Sequence, residues 1–457
     1  GLVSEPTTAP AILRPIPGAD PIMRAALQAD RQRYIIPQTF IDELQTVLTR
    51  YTSGQTTLSR TLTLEEAIQG IGHLPPLDLS TSAGLPLCLE TNGGKGKWIT
   101  PDRKPTPEFR KMVEDFIEGL ENDKLIEPVL FKDTLKDERV KKHKADRSNP
   151  EKVKTRVFSA APLVHTVVSR MYYGAFVSHA VKNSIRNTCT SGVNPHGPDW
   201  QMIVDYLQEV NHLTDDGDYE TFDLTTPSGF MFATFLSIIK WYNINHPDPD
   251  SPQHQKDTKV RGHLADIACH PMHVVNGIVY ITNGVLPSGL FGTTIINCGD
   301  NLCCFYYAWK KIYPMETAQS FLKNVRTVTH GDDVLFSVSP DFPDFTTANI
   351  GKALRTIGMN FTAADKSEFG SVARPIEGCQ FLKRGFKKIA GIYRAPLERN
   401  SSLEMCNWVT KCPDLEQATV DNIETAMREL AISEDDTVWQ EKLQKAIYQR
   451  TNGRRYL

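Results

Sequence analysis

The chain has 457 residues, with 51 Lys and Arg against 54 Asp and Glu, a formal charge of −3. That length is about three times a ~150-residue domain, so several subdomains are expected around one site. Apolar residues at 40% and charged residues at 23% exclude global disorder, and the near-neutral balance excludes a uniformly basic nucleic-acid coat while leaving room for a local basic channel.

No apolar run reaches the ~18 residues of a membrane span. Residues 1–30 carry proline and charge throughout, so no signal peptide is expected. The chain begins with Gly1 rather than Met, as a proteolytic product or a trimmed chain would. The nine cysteines are odd in number and contain no C-x-x-C pair, which reads as reduced thiols in a cytosolic setting.

In chain order, a proline-rich arm leads to a helix over 41–51. Helical stretches at 65–70 and 107–122 flank a turn-rich segment, 74–96. Residues 132–156 hold ten Lys and Arg against five Asp and Glu, a local positive excess that points to a polyanion. A lone charge run is more often a solvated loop. A helix is expected over 227–242, with Thr226 as N-cap and Pro227 in the first position. A hairpin over 274–285 should turn at Asn276-Gly277. A long buried helix follows over 293–312, then strand, turn at Gly331 and strand over 325–338. Helices at 345–357, 415–432 and 437–448 complete an α+β body with a helical C-terminal part.

Three stretches carry chemistry. In His330-Gly331-Asp332-Asp333 two carboxylates sit at the tip of an apolar hairpin, where like charges repel and a divalent cation would offset the cost. Alone, such a tripeptide is often a solvent-facing turn. Asp215-Asp216-Gly217-Asp218-Tyr219 through Asp223 closes a short strand, and alone would pass for an acidic loop. With Asp332 and Asp333 from a neighbouring strand it offers hard oxygen ligands suited to Mg²⁺. Pro287-Ser288-Gly289 through Thr293 and Asn297 is a glycine-bearing loop opening a helix, which alone would read as a cap. Cys269, His270 and His273 lie within five residues, but no second donor pair follows at zinc spacing, so they read as structural. No G-x-S-x-G elbow supports serine-hydrolase chemistry.

In this order the three stretches resemble the palm motifs of RNA-dependent RNA polymerases of picornavirus-like positive-strand viruses. The wording around Lys136-Asp137-Glu138-Arg139 and Lys154-Thr155-Arg156 resembles the insect iflavirus or dicistrovirus branch. The resemblance implies a right-hand fold: fingers over 1–210, palm over 211–240, a connection over 241–285, palm again over 286–384 and a helical thumb over 385–457. It implies that Asp218, Tyr219, Asp332 and Asp333 form the metal set for Mg²⁺, with Mn²⁺ as substitute. Lys136 and Arg156 would neutralise the triphosphate, and Lys366 would protonate the departing pyrophosphate. Asp223, Ser288, Gly289, Thr293 and Asn297 would line the nucleotide, with Asp223, Ser288 and Asn297 around the ribose 2′-OH. Thr81, Ser82, Gly84, Pro86 and Lys154 would follow the template, and Lys383 and Arg384 the primer. Implied partners are single-stranded RNA template and primer, ribonucleoside triphosphates, a viral protein primer and other replication proteins. The implied setting is the host cytoplasm, at membrane-associated complexes reached through partners. A reverse transcriptase would need an aromatic gate where Asp223 stands. A non-catalytic RNA-binding protein would leave the carboxylates unexplained. His330 replaces the family's usual Tyr, the basic segment between Arg139 and Lys154 is a few residues longer than usual, and the arm before Thr81 is short, so its bridge to the thumb is left open by the sequence.

Overall fold

A computed structural model describes residues 4–29, 34–91, 93–124, 126–364, 372–409, 412–433 and 437–450. Its centre is a mostly antiparallel sheet in the order Asn360–Ala363, Leu213–Glu220, Asp333–Val338, Val325–His330, with Arg374–Pro375 also pairing to the second of these. Strand alternation sends Val334 and Phe336 to one face and Leu335 to the other. The first face packs into the main core, which contains the helices Thr293–Ile312, Ser228–Asn245 and Gln38–Val47. The second packs on Asp199–Gln208 through Trp200, Ile203 and Leu207. Segment 188–190 also joins this sheet, with Thr329 N–H donating to Thr188 O at 2.7 Å. Residues 188–208 therefore pack with the central sheet.

A second sheet, ordered Val157–Ala160, Leu130–Leu135, Met272–Val275, Ile278–Ile281, carries the basic segment. Its last two strands turn at Asn276-Gly277, as the dipeptide predicts. The long helix spans Thr293–Ile312 as expected. The helix expected from Pro227 instead starts at Ser228 with Pro227 as N-cap and no side-chain cap bond. Thr226 does not cap it, because its hydroxyl donates back to Phe222 O at 2.7 Å and closes the preceding short turn Phe222–Thr225. The C-terminal part holds Arg399–Met405 in addition to the two expected helices, Leu415–Ser433 and Thr437–Arg450, packed through Leu403, Ile423, Leu430 and Leu443. The cysteine and histidines at 269–273 are structural: His270 pairs with Asp266, His273 with Asp133, and Cys269 is a buried free thiol.

The short N-terminal arm does bridge the molecule. Strand Thr8–Pro10 pairs with Arg139–Lys141. Glu404, on Arg399–Met405, accepts the backbone N–H groups of Thr7 and Thr8, both at 3.0 Å, and both hydroxyls. Trp408 Nε1 donates to the same carboxylate at 2.9 Å, and the Arg139 guanidinium lies 4.8 Å over the Trp408 ring. Burial pushes the Glu404 pKa up, but these bonds outweigh it and hold the carboxyl at about 2, so it stays ionised at neutral pH. Glu404→Ala is expected to cost roughly 1–2 kcal/mol and to expose the arm to cleavage in limited proteolysis read by mass spectrometry. An unchanged cleavage pattern would mean that strand pairing alone holds the arm.

Candidate active site

The site grows out of two adjacent strands. Leu213–Glu220 and Asp333–Val338 pair at Asp215↔Phe336, Asp216↔Leu335 and Gly217↔Val334, so the next register positions are Asp218 and Asp333. Cross-strand neighbours lie about 5 Å apart. Asp332 is exposed in the turn just before. Gly331 turns there in the left-handed region at φ 68°, which glycine adopts without strain.

Asp215 and Asp216 are taken up elsewhere. Arg374 bridges both, at 3.2 Å and 2.8 Å, Thr347 Oγ1 donates to Asp215 and Gln380 N–H donates to Asp216. Asp333 accepts Leu382 N–H at 2.8 Å. Burial, then the charges of Asp332, Asp218 and Asp216, push its pKa up to about 6 despite that bond. Mutual repulsion therefore places the carboxylates of 218, 332 and 333 in one field. Among the described residues no group of three or more His, Cys, Asp or Glu side chains is gathered closely enough to hold an ion by itself. Mg²⁺ does not need one, since it commonly binds one or two carboxylates and completes its shell with water and substrate phosphate. Hard, partly exposed carboxylates gathered in this way fit a divalent cation. Tyr219 turns its side chain away, between Phe222 and Phe361, with its hydroxyl on Asn301.

The turn is held from below by one helix, Thr293–Ile312. Gly331 N–H donates to Cys298 Sγ at 3.3 Å, and Cys298 donates to Thr329 O at 3.4 Å. Asn301 Nδ2 donates to Gly331 O at 3.0 Å and Asp332 O at 3.3 Å. Sequence reasoning missed both residues. Their only signal was spacing, one helical turn and less beyond Asn297.

Arg156 faces the carboxylates from the second sheet. Its pKa is raised first by its bonds to Glu138, then by the fields of Glu138, Asp332 and Asp223. Its Nε donates to Glu138 at 2.6 Å, and Lys136 lies 3.9 Å from the same carboxylate. Glu138 was missed as the anion both cations share. Asp223 is solvent-accessible, yet neighbouring atoms crowd it enough for desolvation, and next Asp332, to raise its pKa. Thr221, left-handed at φ 54°, folds the chain back to bring Asp223 there.

The glycine-bearing loop is fastened to the same second sheet. Gly289 N–H donates to Ser159 O at 3.0 Å, and a Cβ on Gly289 would meet that oxygen at 2.3 Å. Ser288 Oγ accepts Ser159 N–H, and Thr293 Oγ1 donates to Leu290 O at 2.6 Å. Asn297 lies beneath Gly331. Among the described residues no hydrogen bond joins Asp223, Ser288 and Asn297 directly.

Comparison with known proteins fits this geometry. The family profile "Viral RNA-dependent RNA polymerase" matches residues 10–450. The chain belongs to the viral RNA-dependent RNA polymerases. RNA-templated RNA synthesis is the activity of that family. The chain is 29% identical to the Replicase polyprotein of Acute bee paralysis virus over 99% of its own length and 24% of that protein. It is also 29% identical to that of Cricket paralysis virus, over 94% and 26%. The RNA1 polyprotein of Andean potato mottle virus is 31% identical over 80% of this chain and 51% of that protein. The chain thus spans about a quarter of the first two relatives. A Sicinivirus 3Dpol RNA-dependent RNA polymerase structure superposes with a TM-score of 0.77 at 21% identity, covering 98% of this chain and 90% of that one, which shows the right-hand fold.

The remaining expected polymerase residues divide. Lys383 lines a cavity of about 1050 Å³ with Arg139, Lys141, Lys142, His143 and Trp408. It follows Leu382, the residue tied to Asp333, and both adopt left-handed backbone (φ 55° and 61°) in a tight turn. Arg384 does not open onto that cavity. Its guanidinium grips Glu429 through two 2.8 Å bonds and donates to Ala395 O, joining palm to thumb. Thr81 and Ser82 are exposed, as are Pro86 and Lys154, while Gly84 is buried with its N–H on Ser82 Oγ at 3.1 Å. The buried Lys95 ammonium holds the loop by donating to Thr81 O and Asp78 O. Asp365 and Lys366 lie outside the described residues. His330 packs beside Thr190, with burial lowering its pKa.

Beneath the turn, Asp300 is fully buried. Its Oδ1 accepts Thr234 Oγ1 at 2.6 Å, and its Oδ2 meets no hydrogen-bond partner among the described residues. Burial pushes its pKa up to about 7, with the Thr234 bond opposing. Between the unfolded value near 4 and the folded value, the native state holds a proton that the unfolded chain has released. This contribution to stability is full below about pH 4 and is lost as pH rises through about 7. Asp300→Asn is expected to remove that slope, on the order of a few kcal/mol, in denaturant unfolding compared at about pH 5 and pH 8. An unchanged slope would show that Asp300 is solvated in the native state.

Proposed function

We propose that this chain adds ribonucleotides to the 3′-hydroxyl of an RNA primer on a single-stranded RNA template, with release of pyrophosphate. One observation carries the reading: Asp218 and Asp333 are the residues next beyond the last pair joining their two strands, Gly217↔Val334, with Asp332 beside them and in the field of Arg156. Asp218, Asp332 and Asp333 would hold Mg²⁺, with Mn²⁺ as substitute. The bound ions supply activation of the attacking hydroxyl and charge stabilisation at the phosphates.

The chain's own groups do the rest. Lys136 and Arg156 exchange Glu138 for the triphosphate, Arg156 through its bidentate fork. Ser288, Gly289 and Thr293 form a loop whose shape the Ser159 bonds fix. Asp223 and Asn297 lie at the sugar end, where a polar group matched to the 2′-OH selects ribose over deoxyribose. Lys366 donates the proton that pyrophosphate needs on leaving. Thr81, Ser82, Gly84, Pro86 and Lys154 guide the template, and Lys383 meets the primer or the incoming triphosphate at the mouth of the cavity. Binding through such contacts weakens steeply with salt. The division into fingers, palm and thumb follows the two sheets and the C-terminal helices, with the palm beginning near 188.

By virtue of its relatives, the chain acts as a segment released from a viral polyprotein, with a protein primer and other replication proteins as partners, in the host cytoplasm at membrane-associated complexes. No described helix is long and apolar enough to cross a membrane. Nothing in the site favours a reverse transcriptase or a non-catalytic RNA-binding protein.

Primer extension on an RNA template with Mg²⁺ tests the reading. Asp332→Asn is expected to abolish extension, and extension equal to wild type would end the assignment. In the same assay, Asp223→Ala should lower the preference for ribo- over deoxynucleotides by at least ~10-fold. Unchanged preference would remove Asp223 from sugar selection.

A further inference from the structure

We infer that Asn301 and Tyr219 form a positioning pair that sets the spacing between Asp218 and Asp332, and thereby the affinity of the site for its divalent cation. The inference rests on the reading of those two carboxylates as cation ligands.

Three observations support it. First, pairing between the strands that carry the carboxylates ends at Gly217↔Val334. At the level of Asp218 no ladder pairing joins them among the described residues, and like charges push them apart. Second, Asn301 spans that gap. It is fully buried at the middle of Thr293–Ile312. Its Oδ1 accepts the Tyr219 hydroxyl at 3.0 Å, and its Nδ2 donates to Gly331 O at 3.0 Å and Asp332 O at 3.3 Å. One rigid planar amide therefore joins the residue after Asp218 to the carbonyl of Asp332 itself. Third, the Tyr219 end does not drift. Its ring is 5% exposed and wedged between Phe222 and Phe361, each 4.7 Å away.

The chemistry of asparagine matters here. The arrangement needs one acceptor for a hydroxyl and two donors for two carbonyls on a single short side chain. Aspartate would present acceptors to the carbonyls and add a fourth charge, and leucine would leave three buried polar groups unmatched. Mg²⁺ demands near-ideal octahedral geometry at short distances, so loosened spacing penalises it directly. Residues that orient metal ligands from behind typically alter affinity by about 10–100-fold when changed.

The test uses the full chain with Mn²⁺ alone as probe, free ion being read by electron paramagnetic resonance, and Mg²⁺ affinity obtained by displacement. Tyr219→Phe and Asn301→Ala are each expected to weaken Mg²⁺ binding by about 10-fold. The double variant should lose little more than the worse single one, because both changes break one bridge. Tyr51→Phe is the control. It removes a buried tyrosine hydroxyl bond of 3.0 Å to Ile295 O on the same helix without touching the bonds of Asn301, and should leave ion affinity unchanged. A folded Tyr219→Phe with wild-type affinity, additive losses in the double variant, or equal losses in Tyr51→Phe would each overturn the inference. Asp332→Asn separates the two claims. If it binds the ion as wild type does, the ligand assignment itself fails. If it loses the ion while Tyr219→Phe keeps it, only the positioning role falls.

Discussion

Repulsion among carboxylates held on neighbouring strands is the constraint around which the palm is built. Asp218 and Asp333 lie just beyond the last pair joining their two strands, with Asp332 beside them, and burial with the charges of Asp332 and Asp218 raises Asp333 to about 6. A turn under such load relaxes unless something holds it. The Thr293–Ile312 helix does so with two residues, Cys298 and Asn301, which engage the Thr329, Gly331 and Asp332 backbone. Arg374 engages Asp215 and Asp216 and holds both away from the turn.

The opposing charge comes from a different sheet. Arg156 lies in the field of Asp332 and Asp223, and Lys136 shares Glu138 with it, because Val157–Ala160 and Leu130–Leu135 pair side by side. Without ligand, Glu138 occupies the guanidinium fork that a phosphate would take. Arg156 is exposed, and the Glu138 carboxylate keeps its fork ordered. The enclosure depends on two further carboxylates of the C-terminal helices. Glu404 grips the N-terminal arm and Glu429 grips Arg384, so the thumb is tied to fingers and palm by ion–dipole and ion-pair contacts rather than by a continuous apolar core. Contacts of this kind are directional and reversible.

Much of this was legible in the chain. The apolar run at 293–312 reads as a buried helix and is one. Asn276-Gly277 marks a hairpin, and Gly331 marks the turn that puts two aspartates at a strand end. The ordered motifs identify the family, and the profile match over residues 10–450 agrees. Other contacts depend on neighbours that the sequence does not mark. Thr226 has the chemistry of an N-cap, but its hydroxyl was taken by Phe222 O one turn back. Arg384 has the chemistry of a phosphate contact, but a buried glutamate 45 residues on claims both of its terminal nitrogens.

By itself, then, the sequence determined the residue types of the site, the hairpin that presents Asp332 and Asp333, and the helix beneath them, because turn chemistry and hydrophobic periodicity are local properties. Only the tertiary structure decided which aspartates Arg374 engages, which anion the basic residues share, how the short arm reaches the C-terminal helices, and that Asn301 joins the two carboxylate strands. Each of these rests on hydrogen bonds between groups far apart in the chain. Such a bond depends on where a partner ends up in space, and no spacing along one strand or helix carries that information.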